Sequence, residues 1–219
     1  MKTFAFKHTI LRGLAVLAFT ATLTTSALAQ SLTTFKALPS SKMKIDGTST
    51  IHDWTIEGNI IGGSFEIDST FPVEPAAAAP KPGKVNAKGN VVIPVRSLKS
   101  EKTSMDAVMQ QAMKYDQFPK IEYKLTELTF TGMDEATKAL KFDSKGDLTV
   151  AGVTKPAAFP ISMERVAGGK LKFSGTTKVK MTDHGVTPPA PKIALGMIKT
   201  GDEVTLTFEW NLSKPAPAN

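Results

Sequence analysis

The sequence predicts an all-β protein, an extended antiparallel barrel of eight strands with one short helix inserted between them. Three observations lead to this prediction. Apolar and polar residues alternate with a period of two through most of the chain after residue 40, turn residues separate the alternating runs, and one stretch has apolar residues at helical spacing. Closing the sheet on itself removes unpaired strand edges. A two-sheet sandwich would show the same periodicity and stays open as the alternative.

The first 29 residues have the organisation of a cleavable export signal. Three basic residues and no acidic residue accompany an apolar run at 14–23, and the small residues of Ala27-Leu28-Ala29 mark a signal peptidase site before Gln30. The run is shorter than the roughly 20 apolar residues that span a bilayer. We expect export to the periplasm and a single mature domain over residues 30–219, with a short N-terminal membrane anchor as the alternative.

Composition excludes several classes of function. Removing the signal lowers the net charge from +7 to +4, and the lysines are spread along the chain without Arg-rich clusters, so nucleic acid is not an expected partner. Transient contact with a membrane surface and a homodimer are left open. The chain has no Cys, which excludes thiolate metal sites and thiol catalysis. A mature chain of about 190 residues can bury a core without disulfides.

Three long alternating faces are the best strand candidates. Their apolar or small members are Val85, Ala87, Gly89, Val91, Ile93 and Val95, then Leu171, Phe173, Gly175, Thr177, Val179 and Met181, then Val204, Leu206, Phe208, Trp210 and Leu212. Shorter runs follow Trp54, Gly63, Ile121, Leu140 and Phe159. The parity change after Leu125 predicts a bulge near Thr126 and Glu127.

Turn residues predict where the strands end. The signals are Gly62 with Gly63, residues 80–83, residues 143–146, Gly168 with Gly169, and Gly201 with Asp202. The Pro/Ala-rich segment 72–82 follows only about 40 mature residues, too few for a separate core, and is interpreted as a long loop between strands.

One amphipathic helix is predicted over residues 103–115. Met105, Val108, Met109, Ala112 and Met113 recur at helical spacing, and Thr103 with Asp106 predicts a capping box. The methionine stripe needs apolar surface to cover. The helix either packs on one end of the barrel or forms a portal for a ligand.

No catalytic constellation stands out in the sequence. His52-Asp53-Trp54 is notable, but adjacent residues on a strand point to opposite faces, so His52 and Asp53 do not pair. Neither a Gly-x-Ser-x-Gly elbow, nor tight metal-ligand spacing, nor a phosphate loop is present, and no cofactor is expected. A hydrolase or isomerase that uses His52 or His184 is the enzymatic alternative.

The small residues among the inward faces leave two interpretations of the barrel interior. Gly and Thr between large apolar residues would leave room for a small ligand, which an eight-stranded barrel is wide enough to hold. The same glycines would relieve curvature in a filled core, in which case the protein would be an envelope interaction or stress protein.

Several motifs together resemble the YceI-like, polyisoprenoid-binding family with its lipocalin-like barrel. They occur in the family's order, and they are GTSTIHDWT at 47–55, VIPVRSL at 92–98, the helix with Asp106 and Met109, FPKIEY at 118–123, GDLTVAGVTKP at 146–156, MTDHG at 181–185 and GDEVTL at 201–206. The resemblance implies an extended barrel whose apolar tunnel holds a polyisoprenoid, a quinone or another long-chain lipid in the periplasm, without catalysis.

Strand parity then gives the residues expected to line that interior. These are Trp54, Phe65, Ile67, Val91, Ile93, Leu148, Phe173, Val179, Phe208 and Trp210, with Met109 and Met113 near the mouth.

Overall fold

The computed structural model describes residues 1–2, 31–190 and 198–216. Nearly all of the predicted signal segment lies outside the described residues. The strand segments are β1 (Leu32–Ala37), β2 (Lys42–Ser49), β3 (Trp54–Gly58), β4 (Gly62–Asp68), β5 (Gly83–Val85), β6 (Ala87–Pro94), β7 (Leu98–Lys99), β8 (Lys120–Met133), β9 (Leu140–Val150), β10 (Val153–Val166), β11 (Lys170–Lys180) and β12 (Thr200–Ser213). The helix α1 (Thr103–Ala112) lies between β7 and β8. No helix of the described ranges is long and apolar enough to cross a membrane.

These segments make eight long antiparallel strands, because three of the strands are bent. Segments β1 and β2 form the first long strand, β3 and β4 the second, and β5, β6 and β7 the third. Segment β1 pairs with β4 and β2 with β3, while β6 pairs with β4 and β7 with β3. Segments β5 and β6 both pair with β8. Each long strand pairs with its neighbour in sequence, and β12 pairs back with both β1 and β2. The predicted eight-stranded closed barrel is therefore confirmed, and the sandwich alternative is wrong.

Ser41 stabilises the bend between β1 and β2. The chain leaves the ladder at Leu38 and Pro39, and proline has no N–H to donate. The Ser41 hydroxyl accepts a hydrogen bond from the Asn211 N–H at 3.0 Å and donates to the Leu38 carbonyl at 2.8 Å. A buried side chain thus replaces ladder hydrogen bonds where the backbone turns away.

The two ends of the barrel differ. We call the end formed by residues 50–53, 100–119, 151–152 and 181–190 the helix end. The opposite end, formed by residues 69–82, 134–139 and 167–169, is the proline end. Short turns and the α1 connection alternate between these ends as the chain runs up and down.

The proline end is filled with apolar side chains. Those that are at most 2% exposed include Phe35, Ile67, Leu128, Phe130, Leu140, Phe142, Met163, Leu171 and Leu212. The Phe142 ring lies 5.4 Å from Phe130 and 6.0 Å from Phe71, measured between centroids. Arg165 donates hydrogen bonds to the carbonyls of Pro72 and Ala77, at 3.3 and 2.7 Å, which holds the Pro/Ala-rich loop on this end.

Three turn predictions are wrong. Residues 143–146 lie inside β9, where Ser144 pairs with Leu128 on one side and Phe159 on the other. Gly201 and Asp202 lie inside β12, and Gly62 with Gly63 opens β4 just after the bend from β3. In β9, pairing with β8 on one side and β10 on the other overrides the local turn preference of Asp, Ser and Gly. The predicted bulge is confirmed by a register shift between Leu125 and Glu127.

The helix is shorter than expected and lacks the predicted capping box. It ends at Ala112, and Lys114 adopts a left-handed conformation with φ of 53°. Thr103 is the first helical residue, so its hydroxyl is not in the capping position. The buried Asp106 carboxylate accepts hydrogen bonds from the N–H and hydroxyl of Ser100, at 2.7 and 2.8 Å, and thereby fixes the link that enters the helix.

Candidate functional site

The helix end of the barrel contains a cavity of about 970 Å³. This volume is at the upper end of the usual range of small-molecule pockets, roughly 300–1,000 Å³. Most of the lining is apolar, from inward residues of β2 to β4, β6 and β8 to β12, and from one face of α1. The barrel is therefore packed at the proline end and hollow at the helix end.

Eleven of the twelve residues expected in the interior line this cavity. They are Trp54, Phe65, Val91, Ile93, Met109, Met113, Leu148, Phe173, Val179, Phe208 and Trp210. Ile67 does not. Its side chain points inward and is completely buried, but it lies in the filled proline end, beyond Phe65. Contact of these residues with a ligand stays a prediction.

Aromatic rings form the floor of the cavity. The rings of Phe65 and Phe173 meet edge to face at 4.8 Å, and Phe173 lies 6.1 Å from Trp210. On β12, Trp210 is the innermost lining residue, and the next inward residue, Leu212, is completely buried and outside the lining. These rings thus separate the hollow part of the interior from the filled part.

Inward glycines make room for neighbouring rings. A Cβ at Gly175 would lie 2.9 Å from Cζ of Phe208, and a Cβ at Gly47 would overlap the Trp54 indole. At Gly146 a Cβ would lie 2.5 Å from Cζ of Tyr123. At these positions glycine leaves the space that the aromatic rings occupy, and the cavity lies beside those rings.

The methionine face of α1 covers the helix end. Met105, Val108, Met109, Ala112 and Met113 all line the cavity. The long unbranched methionine side chains adapt to irregular apolar shapes. The Arg96 guanidinium lies 5.4 Å from the Tyr115 ring centroid and tethers the segment that follows the helix. Of the two roles left open for the helix, the structure shows packing on the barrel end with the apolar stripe facing the hollow interior, and a role as a ligand portal stays a prediction.

Asp106 anchors the base of this helix electrostatically. Burial is the largest single effect and opposes its ionisation, but the hydrogen bonds from Ser100 and the interaction with Lys99 together outweigh burial and hold the pKa of the Asp106 carboxyl below its ordinary value. The Lys99 ammonium, 3.4 Å away, adds to the same effect. The carboxylate is therefore ionised at neutral pH and keeps the start of α1 against β7.

The two histidines near the cavity make backbone contacts. Nδ1 of the exposed His52 lies 2.8 Å from the backbone carbonyl of Asp53, and Trp54 donates its indole N–H to the Thr48 carbonyl at 3.0 Å. The buried His184 donates from Nδ1 to the Val153 carbonyl at 3.1 Å. Over the described ranges, no group of three His, Asp or Glu residues is arranged to hold a metal ion.

Among the described residues, the charged side chains of the lining lie at the helix end. The four lysines of the lining, Lys102, Lys155, Lys178 and Lys180, are all exposed. Lys178 pairs with Glu203 at 2.7 Å. The aromatic floor of the cavity is therefore distant from these charged side chains.

Sequence reasoning missed several lining residues. They include Met43, Ile45, Ile56, Ile61, Ile121, Tyr123, Leu125, Ser144, Phe159, Ile161 and Leu206. The alternation around Ile121 and Leu206 was visible and places their side chains inside. Ser144 carried no such signal, because the residues around it resemble a turn.

The fold and the cavity define a closed antiparallel β-barrel with an apolar chamber at one end. The model of the YceI-like domain family matches residues 44–212, which is more than half of the chain, and the protein belongs to this family. It is similar to a UPF0312 protein of Pseudomonas putida strain GB-1, with 27% identity over 159 residues that cover 68% of this chain and 77% of the relative.

Solved structures share the fold. A polyisoprenoid binding domain from Saccharophagus degradans is similar with a TM-score of 0.60 and 11% identity, over 84% of this chain and 100% of that domain. BcnA from Burkholderia cenocepacia is similar with a TM-score of 0.59 and 14% identity, over 80% of this chain and 98% of the other. At these identities the likeness concerns the fold.

Proposed function

We propose that this protein is an exported, periplasmic carrier that holds a long-chain apolar ligand, an isoprenoid, a quinone or a similar lipid, in the helix-end cavity. The observation that supports it most directly is the apolar chamber of about 970 Å³ behind the methionine face of α1. The polyisoprenoid binding named for the Saccharophagus degradans domain supports the choice of ligand class.

Hydrocarbon burial supplies the affinity in this proposal. Each methylene-sized group transferred from water contributes about 0.8 kcal/mol, so a long chain binds without many specific polar contacts. A hydrocarbon chain in a chamber of this size also gains dispersion contacts with the lining side chains. Function then consists of binding and release, and no bond of the ligand changes.

Export is proposed from the N-terminal segment alone. Residues 1–29 have the charge, apolar run and small-residue site of a cleavable signal, and the protein needs no Cys for stability in an oxidising compartment. Protein sequencing of the mature N-terminus from a periplasmic fraction would give Gln30 as the first residue. An intact Met1 in a membrane fraction would instead support an N-terminal anchor.

Tryptophan fluorescence gives a direct test of ligand binding. Both tryptophans, Trp54 and Trp210, line the cavity, so a ligand that enters changes the emission of both. We expect delipidated protein titrated with a polyprenol delivered from cyclodextrin to show a saturable change at one ligand per chain. No saturable change with polyprenols, quinones or long-chain alkanes would contradict the proposal.

A further inference from the structure

Two buried polar atoms of the cavity lining have no hydrogen-bond partner among the described residues. They are the Tyr123 hydroxyl and the Trp210 indole nitrogen Nε1. Trp210 is 6% exposed. The other tryptophan differs in this respect, because Trp54 donates its indole N–H to a backbone carbonyl. A buried donor without an acceptor is costly, and such atoms in a native barrel need an explanation.

Both atoms lie at the inner end of the cavity. Trp210 is the last lining residue of β12 before the filled interior. The Tyr123 ring extends from β8 over Gly146, toward Ser144, the innermost lining residue of β9. Strands β10 and β11 separate β9 from β12 in the barrel, so the two polar atoms approach the floor from different walls.

The neighbouring Ser144 does not satisfy either atom. Its hydroxyl donates to the Phe159 carbonyl at 2.7 Å, and its oxygen accepts no hydrogen bond from the Tyr123 hydroxyl or the Trp210 indole. Burial raises the pKa of the Tyr123 phenol above its ordinary value, and the nearby Ser144 hydroxyl only partly offsets this effect. The phenol therefore keeps its proton at neutral pH and remains a donor.

The chemistry of the missing partner follows from these atoms. An indole N–H only donates, and a protonated phenol donates readily, so the group that satisfies both is a hydrogen-bond acceptor. The described lysines of the lining are exposed at the helix end, so within the described part of the chain no cation at the floor would balance a buried anion. The acceptor is therefore a neutral oxygen.

We infer that the physiological ligand is a long-chain carbonyl compound that enters with its oxygen innermost and accepts hydrogen bonds from Tyr123 and Trp210 at the cavity floor. This inference rests on the proposed function and adds the chemical nature and the orientation of the ligand. The hydrocarbon part would supply affinity, and the two donors would select among apolar chains of equal length.

The test compares two probes that differ only in the oxygen. Delipidated protein is titrated with a long-chain methyl ketone and with the alkane of the same chain length, and binding is followed by tryptophan fluorescence. We expect the ketone to bind about fivefold more tightly for one net hydrogen bond, and more for two. Equal affinities would overturn the inference and leave the proposed function intact, with trapped water on the donors. Binding of neither probe would contradict the proposed function itself.

A matched pair of variants assigns the preference to Tyr123. Tyr123→Phe removes only the unpartnered hydroxyl, and we expect it to reduce the ratio of ketone affinity to alkane affinity about fivefold. Without ligand, this variant should also be more stable than the wild type, since it no longer buries an unsatisfied group. Tyr115→Phe is the control, because the second tyrosine lies outside the lining and should leave the ratio unchanged. A ketone preference that survives Tyr123→Phe would contradict the role of this hydroxyl.

Discussion

Because one end of the barrel is filled and the other is hollow, we expect Phe→Ala to lower the free energy of unfolding by different amounts at the two ends. Phe142 is 1% exposed and packs between Phe71 and Phe130, whereas Phe208 borders the cavity. Phe→Ala in a packed core costs about 3–5 kcal/mol, and we expect about 4 kcal/mol for Phe142→Ala. The Phe208 ring already lacks neighbours on its cavity side, so the loss of contacts is roughly halved, and we expect about 2 kcal/mol for Phe208→Ala.

The assay is urea unfolding of the two delipidated variants and the wild type at neutral pH, followed by circular dichroism. The free energies are comparable if the dependence on urea concentration is the same for all three proteins. Ligand must be removed first, because a bound chain stabilises the folded state by mass action and would mask the difference. If Phe142→Ala and Phe208→Ala cost the same within about 0.5 kcal/mol, the division into a filled end and a hollow end is refuted.

Three further predictions concern the cavity and its helix. Thr177→Phe projects a ring into the cavity and should weaken the binding of a long-chain lipid about tenfold or more. Thr176→Phe, on the outer face of the same strand, should leave binding unchanged. Equal effects of the two substitutions would contradict the placement of Thr177 in the cavity lining. Phe173→Glu places a carboxylate at the apolar floor and should abolish lipid binding or folding; unchanged binding and stability would exclude Phe173 from the interior. Asp106→Asn should lower the free energy of unfolding by about 1–3 kcal/mol at neutral pH. This difference from the wild type should be lost as the pH falls through the pKa of Asp106 in the folded protein, which lies below the ordinary value of 3.8, because the native contacts stabilise only the ionised carboxylate. A pH-independent difference in urea unfolding would contradict the prediction.

Period-two alternation predicted the barrel because one face of every strand is buried. The inward residues of β6, β11 and β12 were identified in this way, as was the bulge after Leu125. Alternation assigns a side chain to a face but says nothing of its depth along the barrel axis. Ile67 therefore shares the inward face of β4 with Phe65, and only the three-dimensional structure places it in the filled end.

Local signals failed where contacts outside the local pattern decide the structure. Residues 143–146 resemble a turn, yet two neighbouring strands pair with them and make them part of β9. Asp106 has the spacing of a capping residue, but Ser100 offers it two donors before the helix begins. The unpartnered hydroxyl of Tyr123 has no sequence signature, because its lack of a partner depends on what every nearby strand presents.

The division of the interior also gives the Pro/Ala-rich loop a structural role. Arg165 holds this loop on the proline end, where Phe71 packs on the ring of Phe142. In the described part of the chain that end is filled with side chains, whereas the cavity lies at the helix end, where α1 presents methionines to it.

The most direct test of the proposed carrier function is the composition of the protein as the cell makes it. Mature protein would be purified from the periplasm without detergent, extracted with organic solvent and examined by mass spectrometry, with Thr177→Phe and Thr176→Phe purified in parallel. We predict one long-chain lipid per chain in the wild type and in Thr176→Phe, and much less in Thr177→Phe. An empty extract from the wild type, or equal lipid in both variants, would contradict a ligand held in the helix-end cavity.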